Sequence, residues 1–152
     1  MTSETYERKQ CVDCPTGSKS AAKFPGPRCR SHHSRKQREA GQRQHDRMVL
    51  AKYGITGEQY QAIYETQGWW CAICNLAIGG RKRLAVDHDH KCCPGPRSCG
   101  RCVRGLLCAG CNRFLMIIRD NPEAFLRGHE YLTNPPARKV IEERRPDNDG
   151  AT

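Results

Sequence analysis

Apolar residues are sparse along this chain, and the places where they gather define its elements. From Ser34 to Arg47 the sequence is polar on every side. A helix there has no apolar stripe to bury, so the segment reads as a linker, a DNA-contacting arm or a plainly solvated charge run. Met48 to Tyr53 is a short apolar stretch closed by Gly54. Thr56-Gly-Glu-Gln59 has capping-box form, in which Thr56 accepts from the third helical amide while Gln59 reaches back. It predicts a helix from Gly57 to about Thr66, with Tyr60, Ile63 and Tyr64 on one face and Gly68 at its end.

Trp69, Trp70 and the apolar residues around Cys71 to Ile78 read as core filler, although adjacent tryptophans can also stack on bases. Leu84 to His90 predicts a short strand ending in a polar cluster. Phe114, Leu115, Ile117 and Ile118 suggest a helix from Asn112, broken near Asn121-Pro122. Pro122 suits the first position of another helix reaching about Tyr131 or Leu132. Asn134-Pro-Pro136 stops it, and the remainder reads as a disordered tail.

This pattern leaves little to pack. Only 37% of the 152 residues are hydrophobic and 7% aromatic, and small folds with thin cores need disulfides or metals. The longest apolar run, Trp69 to Cys74, is far short of the roughly 18 residues of a membrane span. Met1 to Gln10 has no apolar signal-peptide core. The expected setting is therefore a reducing cytoplasm, where disulfides rarely persist.

Eleven cysteines are present, and their spacing points to zinc. Cys-x2-Cys recurs at Cys11/Cys14, Cys71/Cys74, Cys99/Cys102 and Cys108/Cys111, and Cys29-x2-His32 is a near copy. A two-residue gap lets one tight turn aim two ligands at a tetrahedral ion. The ligands sort into Cys11, Cys14, Cys29 and His32 (or His33), then Cys71, Cys74, Cys108 and Cys111, then Cys92, Cys93, Cys99 and Cys102. The third group is the weakest, because Cys92 and Cys93 are adjacent; it can instead be a Pro/Gly-rich loop with free thiols. Two or three structural Zn²⁺ follow. The formal charge of +10 would fall to roughly +5 with three ions bound. The chain remains basic, which favours nucleic acid as partner.

Between the halves of the second group lies Val86-Asp-His-Asp-His90, and Asn112 follows directly on Cys111. A zinc there would pin the strand end bearing Asp87 and His88 against the start of the helix bearing Asn112. Asp87 and Asn112 offer hard oxygen donors suited to Mg²⁺ or Mn²⁺. His88 can act as general base at neutral pH. Neighbours on a regular strand face opposite sides, so the backbone at 87–90 is expected to be irregular. Arg104 and Arg113 flank the site as candidate phosphate clamps. Arg81, Lys82 and Arg83 offer salt-sensitive attraction to DNA.

Asp87-His-Asp-His90, Val103-Arg-Gly-Leu-Leu-Cys108 and Cys111-Asn112, with Tyr53-Gly-Ile-Thr56, Gln67-Gly68 and Cys71-Ala-Ile-Cys74 before them, resemble the phage recombination endonuclease VII family of HNH nucleases. The resemblance covers roughly residues 53 to 132 and implies a ββα-metal (HNH) core there; with the N-terminal zinc knuckle or ribbon, read from cysteine spacing and outside the resemblance, and the short helices, the expected fold is a small zinc-stabilised α+β protein. The resemblance assigns Asp87 and Asn112 to the catalytic metal, His88 to water activation and His90 to support. The Cys71/Cys74/Cys108/Cys111 zinc would be structural. The implied reaction is hydrolysis of DNA phosphodiesters to 3′-hydroxyl and 5′-phosphate ends. The expected partner is duplex or branched DNA in the cytoplasm of a phage-infected bacterium, in recombination or packaging. A homodimer or a complex with phage proteins is left open. The expected divisions are a knuckle over 1–35, a basic linker or arm over 36–52, the nuclease domain over 53–132 and a flexible tail over 133–152. Lys91 to Cys102 stands as an insertion relative to the family. The rival is a non-catalytic zinc-ribbon that binds nucleic acid, which leaves Asp87, His88 and Asn112 without a joint role.

Overall fold

The computed structural model describes residues 9–18, 20–22, 26–80 and 82–144. The N-terminal knuckle is a small loop. Gln10 and Ala21 form an isolated antiparallel bridge, Val12 N donates to Pro27 O at 3.0 Å, and Arg28 Nε donates to Asp13 Oδ2 at 2.6 Å. Cys29 then caps a helix, α1, which runs over Arg30–Tyr53 for 24 residues, about 36 Å at 1.5 Å per residue.

The segment 36–52, expected as a basic linker or arm, is helical throughout and forms the interior of one rod that starts at the knuckle. Its many Arg, Lys, Gln, Glu and Ala residues are strong helix formers, and Glu39 pairs with both Arg35 and Lys36, as helix neighbours at these spacings do. Only Val49 is buried along it. The helix ends at Gly54, whose φ of 66° closes the last turn by donating to Leu50 O.

α2 (Gly57–Thr66) forms with the predicted capping box. It packs against α1 through the edge of the His45 ring on Tyr60, with centroids 4.6 Å apart. A Cβ on Gly57 would meet the Asp46 side chain of α1 and force it to move. Tyr60 donates to Leu84 O at 2.8 Å; burial of its phenol pushes the pKa up to about 12. Tyr64 donates to Ile78 O. Trp69 and Trp70 are not core filler: they are 47% and 39% exposed, and Trp69 lies edge-on to Tyr64.

β1 (Ala85–His88) and β2 (Val103–Leu107) make an antiparallel two-stranded sheet. The register pairs Asp87 with Gly105 but His88 with Val103. The expected irregularity is therefore present, and the extra residue that produces it is Arg104 on the partner strand. Such a bulge re-aims side chains, and here both Asp87 and His88 end up 5% exposed. Gln67 acts as a surrogate third strand: it accepts from Leu106 N at 2.8 Å and donates to Leu106 O at 2.9 Å.

α3 (Ala109–Ile117) begins three residues before the predicted start, because the Cys108 thiol serves as its N-cap by accepting from Cys111 N. Arg119 and Asp120, both non-glycine, then take left-handed φ values of 55° and 52°. α4 covers Glu123–Thr133, with Pro122 as its N-cap residue. α5 covers Pro136–Glu143, so the part of the tail over 136–143 is helical rather than disordered; residues 145–152 lie outside the described ones. The core is small: Val49, Ile55, Tyr60, Cys71, Leu84, Val86, Leu106 and Leu107 form its buried cluster. Among the described residues no helix is long and apolar enough to cross a membrane.

Gln67→Leu leaves the buried Leu106 N–H without its partner. Urea unfolding should show a loss of about 1–3 kcal/mol, and Gln67→Glu should not recover it, because its second carboxylate oxygen would face Leu106 O and Trp70 O, to which the Gln67 amide donates.

Candidate functional site

Three groups of four ligand atoms each converge within 4.8 Å: Cys11, Cys14, Cys29 and His32; Cys71, Cys74, Cys108 and Cys111; Cys92, Cys93, Cys99 and Cys102. Sulfurs bound 2.3 Å from one tetrahedral ion lie about 3.8 Å apart. The observed separations are 3.9 Å for Cys14–Cys29, 4.0 Å for Cys74–Cys108 and 3.8 Å for Cys99–Cys102. A disulfide would need about 2.05 Å. His32 Nδ1 sits 3.3–3.4 Å from all three sulfurs of its group, so the first group is completed by His32 and not by His33. The adjacent Cys92 and Cys93 do share one centre, with sulfurs 3.9 Å apart. All three groups could hold zinc.

Local donors already prepare one thiolate in each group. The Ser31 hydroxyl, with the His32 amide, draws Cys29 down to about 6. At Cys71 burial opposes ionisation, but the amides of Cys108, Cys74 and Ile73 outweigh it and bring the thiol to about 6. The Arg101 amide leads the same effect at Cys99. Cys11 and Cys102 are lowered as well, while other thiols feel the charge of their neighbours. Neighbouring sulfurs push Cys92 up to about 12, and burial with neighbouring sulfurs does the same to Cys111. Four thiolates together require a dication, which is the service zinc provides.

The second group joins the loop after α2 to the first turn of α3, and so fixes Asn112 beside the end of β1. Asp87, His88, His90 and Asn112 line one cavity of about 140 Å³, with Tyr53 and Pro96 at its rim. His88 Nε2 lies 3.1 Å from Cys93 O and 3.2 Å from Gly95 O. Carbonyls only accept, so Nε2 carries the hydrogen and the neutral ring keeps its lone pair on Nδ1. The His90 ring is 4.7 Å from that of His88, and its Nδ1 meets Asp120 Oδ2 at 2.9 Å.

Arg104 has partners other than those expected of a phosphate clamp. Its Nε and Nη2 donate to the two oxygens of Asp87 at 2.7 and 3.1 Å, and Nη2 also reaches Asp120 Oδ1 at 3.0 Å. An ionised carboxylate as buried as Asp87 needs such a partner. The Asp87 contact leads in raising the Arg104 pKa beyond its ordinary value. Burial would raise the Asp120 pKa, but hydrogen bonds from His90 and Arg104 hold it below the usual range. Sequence reasoning does not find Asp120; its one visible signal is an acid beside the Asn121-Pro122 turn.

Lys82, Arg83, Asn112 and Arg113 line a neighbouring cavity of about 480 Å³. Arg83 is tied to α1 by a 2.7 Å hydrogen bond to Gln42. Arg81 lies outside the described residues. Asn112 therefore borders both the histidine pocket and a basic surface.

A sequence profile of the recombination endonuclease VII family matches residues 45–134, from the end of α1 through α4. Over 143 aligned residues the chain is 46% identical to the "Gene 59 protein" of Mycobacterium phage L5 and 45% identical to that of Mycobacterium phage D29. Both alignments cover 91% of this chain and 82% of the relative. No solved structure matches the chain.

Arg104→Ala strands the Asp87 charge. Because the Arg104 side chain is 37% exposed, water will screen part of the penalty, and a loss of about 1–3 kcal/mol is expected in urea unfolding. Adding Asp87→Asn on that background should restore part of it, since the orphaned charge is then gone.

Proposed function

We propose that this chain, which belongs to the recombination endonuclease VII family, is a divalent-metal-dependent endonuclease hydrolysing DNA phosphodiester bonds, with β1, β2 and α3 as its ββα-metal (HNH) core. One observation carries the reading. Asp87, His88, His90 and Asn112 share a single cavity, and the hydrogen of His88 is committed to two carbonyls on the Nε2 side. Nδ1 is thereby the atom that accepts the proton of an attacking water.

The donor set fits a hard cation. Arg104 uses one lone pair on each Asp87 oxygen, and a carboxylate has about four such directions, so capacity remains. The Asn112 side chain adds an amide oxygen. Mg²⁺ or Mn²⁺ held by Asp87 and Asn112 would supply Lewis acidity toward the scissile phosphate and the departing 3′-oxygen. Arg104 serves by pairing with and orienting the Asp87 carboxylate. His90, steered by Asp120, contacts phosphate or steadies the site. The products are 3′-hydroxyl and 5′-phosphate ends.

Lys82, Arg83 and Arg113 draw the DNA backbone to the pocket in a salt-sensitive way. The zinc of Cys71, Cys74, Cys108 and Cys111 is structural, as is that of Cys11, Cys14, Cys29 and His32. Relatives in two mycobacteriophages support a role on phage DNA in the infected cell, in recombination at branched junctions or in packaging.

Plasmid nicking with Mg²⁺ or Mn²⁺ tests this. His88→Ala should slow cleavage by about 100-fold or more while zinc content and circular dichroism stay unchanged. Asp87→Asn and Asn112→Ala should raise the dication concentration needed. Full cleavage by His88→Ala would remove the base from this role, and a wild type that binds DNA without cutting it would leave only a zinc-ribbon binder.

A further inference from the structure

The segment from Lys91 to Cys102 contributes no residue to the hydrophobic core. None of its residues is buried. Yet it delivers the two carbonyls, Cys93 O and Gly95 O, that receive the His88 Nε2 hydrogen. A loop without a hydrophobic anchor cannot hold two acceptors on one imidazole nitrogen unless something else fixes it.

Four sulfurs are available for that purpose. Cys92, Cys93, Cys99 and Cys102 meet around one point, with sulfur separations of 3.8–3.9 Å. Cys93 belongs to both arrangements: its thiol joins the cluster while its carbonyl meets the histidine. Gly95 follows two residues later. The surrounding backbone leaves the loop few alternatives. Cys92 N and Cys93 N donate to Asp89 O, Asp89 N donates to Cys102 O, and Ser98 N donates to Lys52 O at the end of α1. Gly100, at φ 84°, lies so close to α1 that a Cβ there would stand 2.6 Å from Gly54 O.

We propose that Cys92, Cys93, Cys99 and Cys102 form a thiolate-bound zinc centre whose function is to position His88, setting which ring nitrogen carries the hydrogen and where the other points. The cysteines and Gly95 are positioning residues, because the contact they supply is to the His88 ring rather than to the reacting atoms. This centre differs in kind from the one at Cys71, which lies in the hydrophobic core. Emptying the Cys92 centre should leave the core folded and free the imidazole to turn. Cys92 and Cys99 are exposed, which makes it the centre a chelator reaches first. The assignment rests on His88 being the general base for its catalytic consequence, but not for its structural one.

The test uses the full chain as wild type, Cys99→Ser and the Cys92→Ser/Cys99→Ser pair. Zinc analysis should return about three ions per wild-type chain and about one fewer in the variants. Nitrogen-15 spectra of the His88 ring should show a single Nε2–H form in the wild type and a mixture after the metal is lost. In plasmid cleavage kcat should fall about 10–100-fold, as when an outer support of a site is removed, while KM for DNA stays within about two-fold. Mild chelation of the wild type, followed by zinc release and the same ring signals, gives the answer if a variant misfolds. Unchanged zinc content, or a ring signal unaltered when that zinc leaves, overturns the proposal. Both readouts are independent of cleavage, so they separate this failure from that of the nuclease assignment, which His88→Ala decides.

Discussion

Thiolate clusters do here what a hydrophobic core does in larger domains. The sheet has two strands, α4 and α5 bury no residue, and the buried cluster of side chains includes the zinc-ligand candidate Cys71. A two-stranded sheet is marginal by itself in water. Drawing Cys71 and Cys74 to Cys108 and Cys111 closes a long segment and fixes the start of α3 relative to the end of β1. That single junction places Asn112 beside Asp87 and His88, and the chemistry of the pocket depends on it.

Burying Asp87 and His88 side by side creates an electrostatic problem that the bulge solves. Inserting Arg104 into β2 opposite the step from Asp87 to His88 lets a guanidinium grip both oxygens of the carboxylate. The same guanidinium reaches Asp120, which in turn holds His90. Asp120 occupies a left-handed conformation rarely adopted by non-glycine residues. The chain thus accepts local strain after α3 to complete a network of alternating charge around the pocket.

Much of this is legible in the order of the residues alone. Cysteine spacing groups the ligands, the capping box locates α2, and the enclosure of Asp87-His-Asp-His90 by cysteine pairs marks the pocket. What escapes such a reading does so for physical reasons. α1 has no apolar face, so periodicity is silent about it, and its stability comes from propensity and ion pairs along its surface. The pairing of Arg104 with Asp87 is not visible because the bulge in β2 that creates it has no signature in residue type. The supports of His88 are carbonyl oxygens, which every residue possesses, so no sequence pattern can announce them. Asp120 reaches the pocket only through backbone torsions that composition does not encode.

The continuity of α1 has a mechanical consequence. A flexible tether absorbs an added or missing residue silently, whereas a helix converts it into rotation. One residue more between Arg30 and Tyr53 would swing the knuckle by about 100° around the axis and shift it by about 1.5 Å. The angular phase between the first thiolate cluster and the pocket is therefore written into the length of this rod, and only insertions or deletions of about a whole turn preserve it.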